Sequence, residues 1–297
     1  MRRVIRWADL AGGLRIGVEL EQEGSFSPIQ GTDDPLPVLR GGTFEVDAGV
    51  VRATDPRTLA FPSDVMLRTP LDPPEVWCAG VTYRSSRADS PGAEALPDVY
   101  DLVYGAERPE LFLKDALSHR TVGPLQPIGI RGDSVWNVPE PEIGLVLGER
   151  GRILGYTIGN DVSSREIEGA NPLYLSQAKV YAGACAIGPS VYVPEDEPEG
   201  FVIGMRILDE YGVVAYEGRT STKEMVRSFS ELVEWLMRDN PVPPGSVLLT
   251  GTGLVPPESF TLLPGHWVEI HVPEIGTLAN PVALAGDLLS GPEGSWR

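Results

Sequence analysis

Apolar residues in this chain fall in short runs cut by glycine, proline and polar turns, a pattern that predicts strands more than long helices. Residues 143–147 and 153–158 flank the link Gly148-Glu149-Arg150-Gly151-Arg152 and read as a β-hairpin. Residues 76–81 and 247–249 read as buried strands, 14–20 and 46–51 as earlier ones, and 267–272 with 275–278 as closing ones. Between Arg108 and Lys114, Leu111 and Leu113 alternate with Phe112 and Lys114, again as in a strand. Helical spacing is clear in one place. Met225, Phe229, Leu232 and Leu236, with Val226 and Val233, predict an amphipathic helix that a Ser221/Glu224 capping box opens and Asp239-Asn240-Pro241 ends. Short helices are predicted at 99–104 and after Ser163, which makes a second capping box with Glu166.

The hairpin carries the first candidate chemistry. Glu140 and Glu142 lie two apart at the mouth of its first strand, so they share a face. If the turn centres between Arg150 and Gly151, Glu142 faces Gly159 and Glu140 faces Asp161, with Cα atoms roughly 4.5–5.5 Å apart. Three carboxylates at that range repel one another unless some are protonated or a cation lies between them. An all-oxygen donor set suits Mg²⁺ first, with Mn²⁺ or Ca²⁺ also admissible. Spacing alone leaves open a plainer reading, in which the two glutamates are solvated at a strand start and Asp161 caps the next helix.

Composition narrows the partners. With 297 residues, 42% of them hydrophobic, the chain can bury a large core, and the proline-rich segment 66–75 divides it. Residues 1–70 read as a small β-rich N-terminal domain and 71–297 as the domain that holds the chemistry. A net charge of −18 disfavours nucleic acid and anionic membranes, though not an anionic small substrate at a locally cationic site. No signal-peptide core and no membrane span is read, so a cytoplasmic protein is expected. Cys78 and Cys185 form no metal or redox motif, His119, His266 and His271 are scattered, and no G-x-S-x-G is present. The loop Thr250-Gly251-Thr252-Gly253 matches neither the phosphate-binding nor the dinucleotide pattern. Positive charge is almost all arginine: the only lysines are Lys114, Lys179 and Lys223. Lys179 is the one charged residue between Gly169 and Pro194, a setting for either a snorkelling side chain or an ammonium held near an anion, metal site or substrate.

The runs P-E-P-E-I-G-L-V-L-G, G-R-I-L-G-Y-T-I-G-N-D-V-S-S-R-E, V-L-L-T-G-T-G and W-V-E-I-H-V-P-E-I-G-T-L-A-N-P-V resemble the fumarylacetoacetate hydrolase family. The resemblance implies an α+β, mainly β fold, a mixed β-sandwich roll. It also implies a Mg²⁺ or Mn²⁺ site at Glu140, Glu142 and Asp161, and substrates that are 2-oxo or 1,3-diketo acids. Hydrolase members carry a water-activating His and Glu where this chain has Ser86 and Asp89. The runs D-P-P-E-V-W, R-P-E-L-F-L-K, N-P-L-Y-L-S-Q-A-K-V-Y-A-G and D-N-P-V-P resemble the branch that dehydrates 2-keto-3-deoxy sugar acids. That branch implies Glu110 and Lys179 as acid and base, Tyr83, Lys114 and Thr252 as substrate contacts, and a homodimer or homotetramer. Two rivals remain: a hydrolase or decarboxylase acting on an acylpyruvate or other 2-oxo acid, and a non-catalytic protein that binds 2-oxo acids.

Overall fold

The computed structural model describes residues 2–9, 11–84 and 99–290. Ser86 and Asp89 lie outside the described residues. The fold is mainly β and mixed in strand direction, as expected. A large sheet runs in the order 51–52, 25–28, 14–19, 2–8, 185–193, 153–161, 141–147, 247–249, 75–80, 110–116. A five-stranded sheet, in the order 214–221, 202–208, 267–272, 276–284, 128–130, packs over one face of it.

The apolar pattern of each strand follows from its place in these layers. Pro141–Leu147 is buried at every position, because the second sheet covers one of its faces and the 36–44 segment packs in the cluster on the other. Hence the apolar run over residues 143–147 rather than an alternating pattern. Trp267–Val272 and Val202–Leu208 have one face in the core and one outside, and their burial alternates. The main cluster fills the space between the sheets around Ile143, Leu145, Ile158, Ile203, Ile270 and Leu278.

Residues 1–70 do not build a sheet of their own. Arg2–Ala8 pairs antiparallel with Cys185–Val193, and the remaining early strands extend the same sheet outward. Arg6 reaches across the boundary to the Thr69 carbonyl and to the Asp72 carboxylate.

Two helix starts differ from the sequence reading. Ser221 caps only a short 3₁₀ turn, Thr222–Glu224, and the amphipathic helix is Phe229–Met237, capped by Ser228 through the Glu231 amide. The intervening residues are drawn into tertiary pairing: Met225 bridges Tyr83, Val226 donates to the Thr82 carbonyl, and Arg227 caps the carbonyls of Ala106 and Glu107. After the hairpin the N-cap is Ser164, not Ser163: the Ser164 hydroxyl accepts from the Ile167 amide, while the Ser163 hydroxyl is turned back to donate to the Asp161 carbonyl. Helix Val99–Tyr104 falls where it was expected.

Candidate metal centre and active site

The hairpin register is the one the sequence predicts. Glu142 pairs with Gly159, Ile143 with Ile158, and the Asp161 amide donates to the Glu140 carbonyl at 2.9 Å. The turn itself is a 3₁₀ turn at Glu149–Gly151, with Arg150 and Gly151 both at positive φ, and a bulge beside Leu147 absorbs the irregularity. Glu140, Glu142 and Asp161 converge: each offers a carboxylate oxygen, all within 4.8 Å of one another, and each side chain is almost wholly buried.

The other candidates arrive at the same end of the large sheet. There Ile153–Asp161, Val247–Leu249 and Glu75–Gly80 finish, while Pro141–Leu147, Cys185–Val193 and Glu110–Ala116 begin. Thr250–Gly253 and Val81–Tyr83 are the loops that leave it. The Gly251 amide donates to Glu142 at 2.6 Å. Gly251 has a φ of +89°, and a β-carbon there would overlap the Thr82 hydroxyl, so the loop can come this close only with glycine.

Charge is distributed unevenly around the trio. Lys179 Nζ donates to Glu140 at 2.8 Å and to Asp161 at 3.1 Å. Lys114 Nζ is paired with the other Asp161 oxygen and donates to the Val162 carbonyl at 3.0 Å. Arg165 lies 3.0 Å from the second oxygen of Glu140. Burial works against ionisation of Asp161, but the two lysines outweigh it and hold the carboxyl below its ordinary range. Burial likewise opposes the Lys179 charge, and Asp161 with Glu140 reverses that, so the ammonium is held well above its usual range. Glu142 is the exception. Burial, then the charges of Asp161 and Glu140, push it well up, against one amide donor. Glu140 and Asp161 each face cationic side chains, whereas Glu142, wholly buried, is met among the described residues by the Gly251 amide and by no ion pair, so its negative charge is unmatched. The donor set is all oxygen and the unmatched charge lies on a candidate ligand, so the residues fit a hard divalent cation.

Glu110 opens its strand opposite Gly80, half-buried, and its carboxyl is pushed up to about 6 by burial, partly offset by Lys179. Its folded value lies above the ordinary 4.5, so the stability it confers is complete below pH 4.5 and is lost as pH rises through 6. Glu110→Gln is therefore expected to raise the thermal midpoint at pH 7, by the equivalent of about 1–2 kcal/mol, and not at pH 4. Equal midpoints at pH 7 would refute this.

Tyr83 is fully buried against Gly253, and its hydroxyl has no hydrogen-bond partner among the described residues. Burial, with Glu142 nearby, raises its pKa and keeps it a neutral phenol. Thr252 is half-buried, its hydroxyl bonded within the loop to Leu254. Lys114 stands at a strand bulge, where Val76 pairs with Asp115 and Trp77 with Leu113. The bulge turns Lys114 and Asp115 both inward, and the ammonium lies wholly buried beneath Asp161. Cys78 and Cys185 are free thiols within one apolar cluster under the site.

Sequence reasoning missed Arg165 as a site residue. It lies within the S-S-R-E run, next to the residue that caps the helix, and an arginine one turn before Glu168 reads as a surface pair. The Gly251 amide was also missed, although its glycine-rich loop was visible.

Residues 75–283 match the family of the fumarylacetoacetate (FAA) hydrolase C-terminal region. A protein named probable 2-keto-3-deoxyxylonate dehydratase from Haloferax volcanii is 53% identical over 214 residues, covering 72% of this chain and 73% of that one. The 2-dehydro-3-deoxy-D-arabinonate dehydratase of Saccharolobus solfataricus is 45% identical over 227 residues, covering 74% and 75%. Among solved structures, a 2-keto-3-deoxy-D-arabinonate dehydratase complexed with magnesium and 2,5-dioxopentanoate superposes with a TM-score of 0.82. It is 36% identical and the match covers 96% of this chain and 99% of that one.

Proposed function

This chain belongs to the fumarylacetoacetate hydrolase family, and from that premise we propose that it is a Mg²⁺-dependent dehydratase of 2-keto-3-deoxypentonates, yielding 2,5-dioxopentanoate. The observation that carries the reading is the buried trio Glu140, Glu142 and Asp161 with Lys179 against it and Glu110 at the same sheet end. These carboxylates would hold the cation. When bound, the cation stabilises the negative charge that develops on a 2-oxo acid as its C3 proton leaves.

Lys179 and Glu110 divide two proton transfers between them. One removes the C3 proton, and the other delivers a proton to the C4 hydroxyl oxygen as it departs as water. A carboxyl near 6 whose ionisation the Lys179 charge favours and an ammonium held above its usual range form a pair that carries one proton between them at neutral pH. Loss of a C5 proton and tautomerisation complete the aldehyde. Arg165 orients Glu140, and Lys114 anchors Asp161 from below. Tyr83 and Thr252 border the substrate, the phenol as a neutral donor.

Incubation with Mg²⁺ and 2-keto-3-deoxypentonate is expected to release the aldehyde, read by an aldehyde-specific reagent. Cleavage of an acylpyruvate with no aldehyde from the pentonate would overturn the reading in favour of a hydrolase. No turnover of either would leave a 2-oxo-acid-binding protein. We further take residues 71–297 as the catalytic unit with 1–70 as its N-terminal extension, the cytoplasm as the working compartment, and a homodimer or homotetramer as the assembly. The described residues hold no helix long and apolar enough to cross a membrane. Light-scattering mass tests the assembly.

A further inference from the structure

We propose that Gly80 is a positioning residue for the dehydration, the missing side chain that lets the Glu110 carboxylate lie back over the adjoining strand into the site. The inference rests on the dehydratase reading above. Gly80 and Glu110 are direct partners across the antiparallel strands Glu75–Gly80 and Glu110–Ala116, so side chains at the two positions project from one face. A β-carbon on Gly80 would find its three nearest atoms all in Glu110. It would overlap Oε2 outright and lie 2.7 Å from Cδ and 3.4 Å from Cγ.

Backbone conformation does not explain the glycine, because Gly80 is absent from the positive-φ positions and alanine can adopt its geometry. The next residue does carry strain: Val81, β-branched, has a φ of +52°. Behind it the Thr82 hydroxyl donates to the Thr250 carbonyl at 2.6 Å and the Thr82 carbonyl accepts from Val226. The strand end is therefore fixed from both sides. A methyl group on residue 80 would be relieved by the group that can move, the far end of a flexible glutamate. Such a shift costs little stability while displacing the reacting carboxyl.

Gly80→Ala is expected to keep the wild-type thermal midpoint and Mg²⁺ affinity while kcat falls about 10²-fold and KM changes by less than about threefold. In a Glu110→Ala background, where no carboxylate remains to be displaced, adding Gly80→Ala should change neither the residual rate nor the midpoint. Full kcat in Gly80→Ala, or an equal loss in both backgrounds, overturns the proposal. Should Gly80→Ala fail to fold, folding of the double variant supports the overlap and its unfolding overturns it. If the wild type makes no aldehyde, the dehydratase reading fails instead. A crystal structure of Gly80→Ala then still decides this one: a carboxylate left in its wild-type position sinks it.

Discussion

Glu142→Gln abolishes tight binding of Mg²⁺ and leaves the metal-free fold at least as stable as before: that is the expected result of removing the one carboxylate whose charge is unmatched. The amide keeps the volume and the acceptor for the Gly251 amide, so packing is retained. It deletes the negative charge that burial and the two neighbouring carboxylates hold at a penalty. Loss of an outer-shell partner typically weakens a metal site about 10–100-fold, and loss of a ligand itself should exceed that. Mg²⁺ should raise the wild-type midpoint through linkage and leave that of the variant unmoved. Calorimetric titration and thermal melts with and without chelator measure both. Equal Mg²⁺ affinity in the two proteins would remove Glu142 from the ligand set.

Lys179→Met should do the opposite, keeping the metal and losing turnover. The ammonium touches Glu140 and Asp161, so its removal takes a positive charge away from the cation's neighbourhood and cannot weaken binding by repulsion. Without metal, those two carboxylates lose a buried partner, and the metal-free protein should be destabilised by about 3–5 kcal/mol. Saturating Mg²⁺ should restore most of that. The chemical step has no such rescue, and kcat should fall about 10²–10⁴-fold, the span associated with a positioned acid or base. Single-turnover assays at saturating Mg²⁺ separate the two effects. A variant that retains the wild-type rate would leave Glu110 to perform both proton transfers.

The carboxylate trio was legible because two-residue periodicity and a glycine-bearing link suffice to set a register, and Glu142 opposite Gly159 follows from it. Val247–Leu249 was equally plain from its apolar run, and Trp267–Val272 from its alternation of buried and part-exposed positions. What escaped depends on contacts between distant segments. Ser221 has a capping signature as good as that of Ser228, yet the pairing of Val226 with Thr82 decides which one opens the helix. Alternation puts Lys114 on the face of Phe112 and Glu110, but only the bulge against Val76 brings Asp115 inward beside it. The fit of Gly80 under Glu110 is invisible until two strands thirty positions apart lie side by side.

The placement of the lysines bears on what happens to the protein after catalysis. The proposed product is an aldehyde, which condenses with free primary amines. Lys114 and Lys179 are shut inside the fold, so Lys223, 61% exposed, is the single side-chain amine open to solvent. Guanidinium groups, which carry the rest of the positive charge, form no simple Schiff base. A surface built this way gives the enzyme's own product almost nothing to modify.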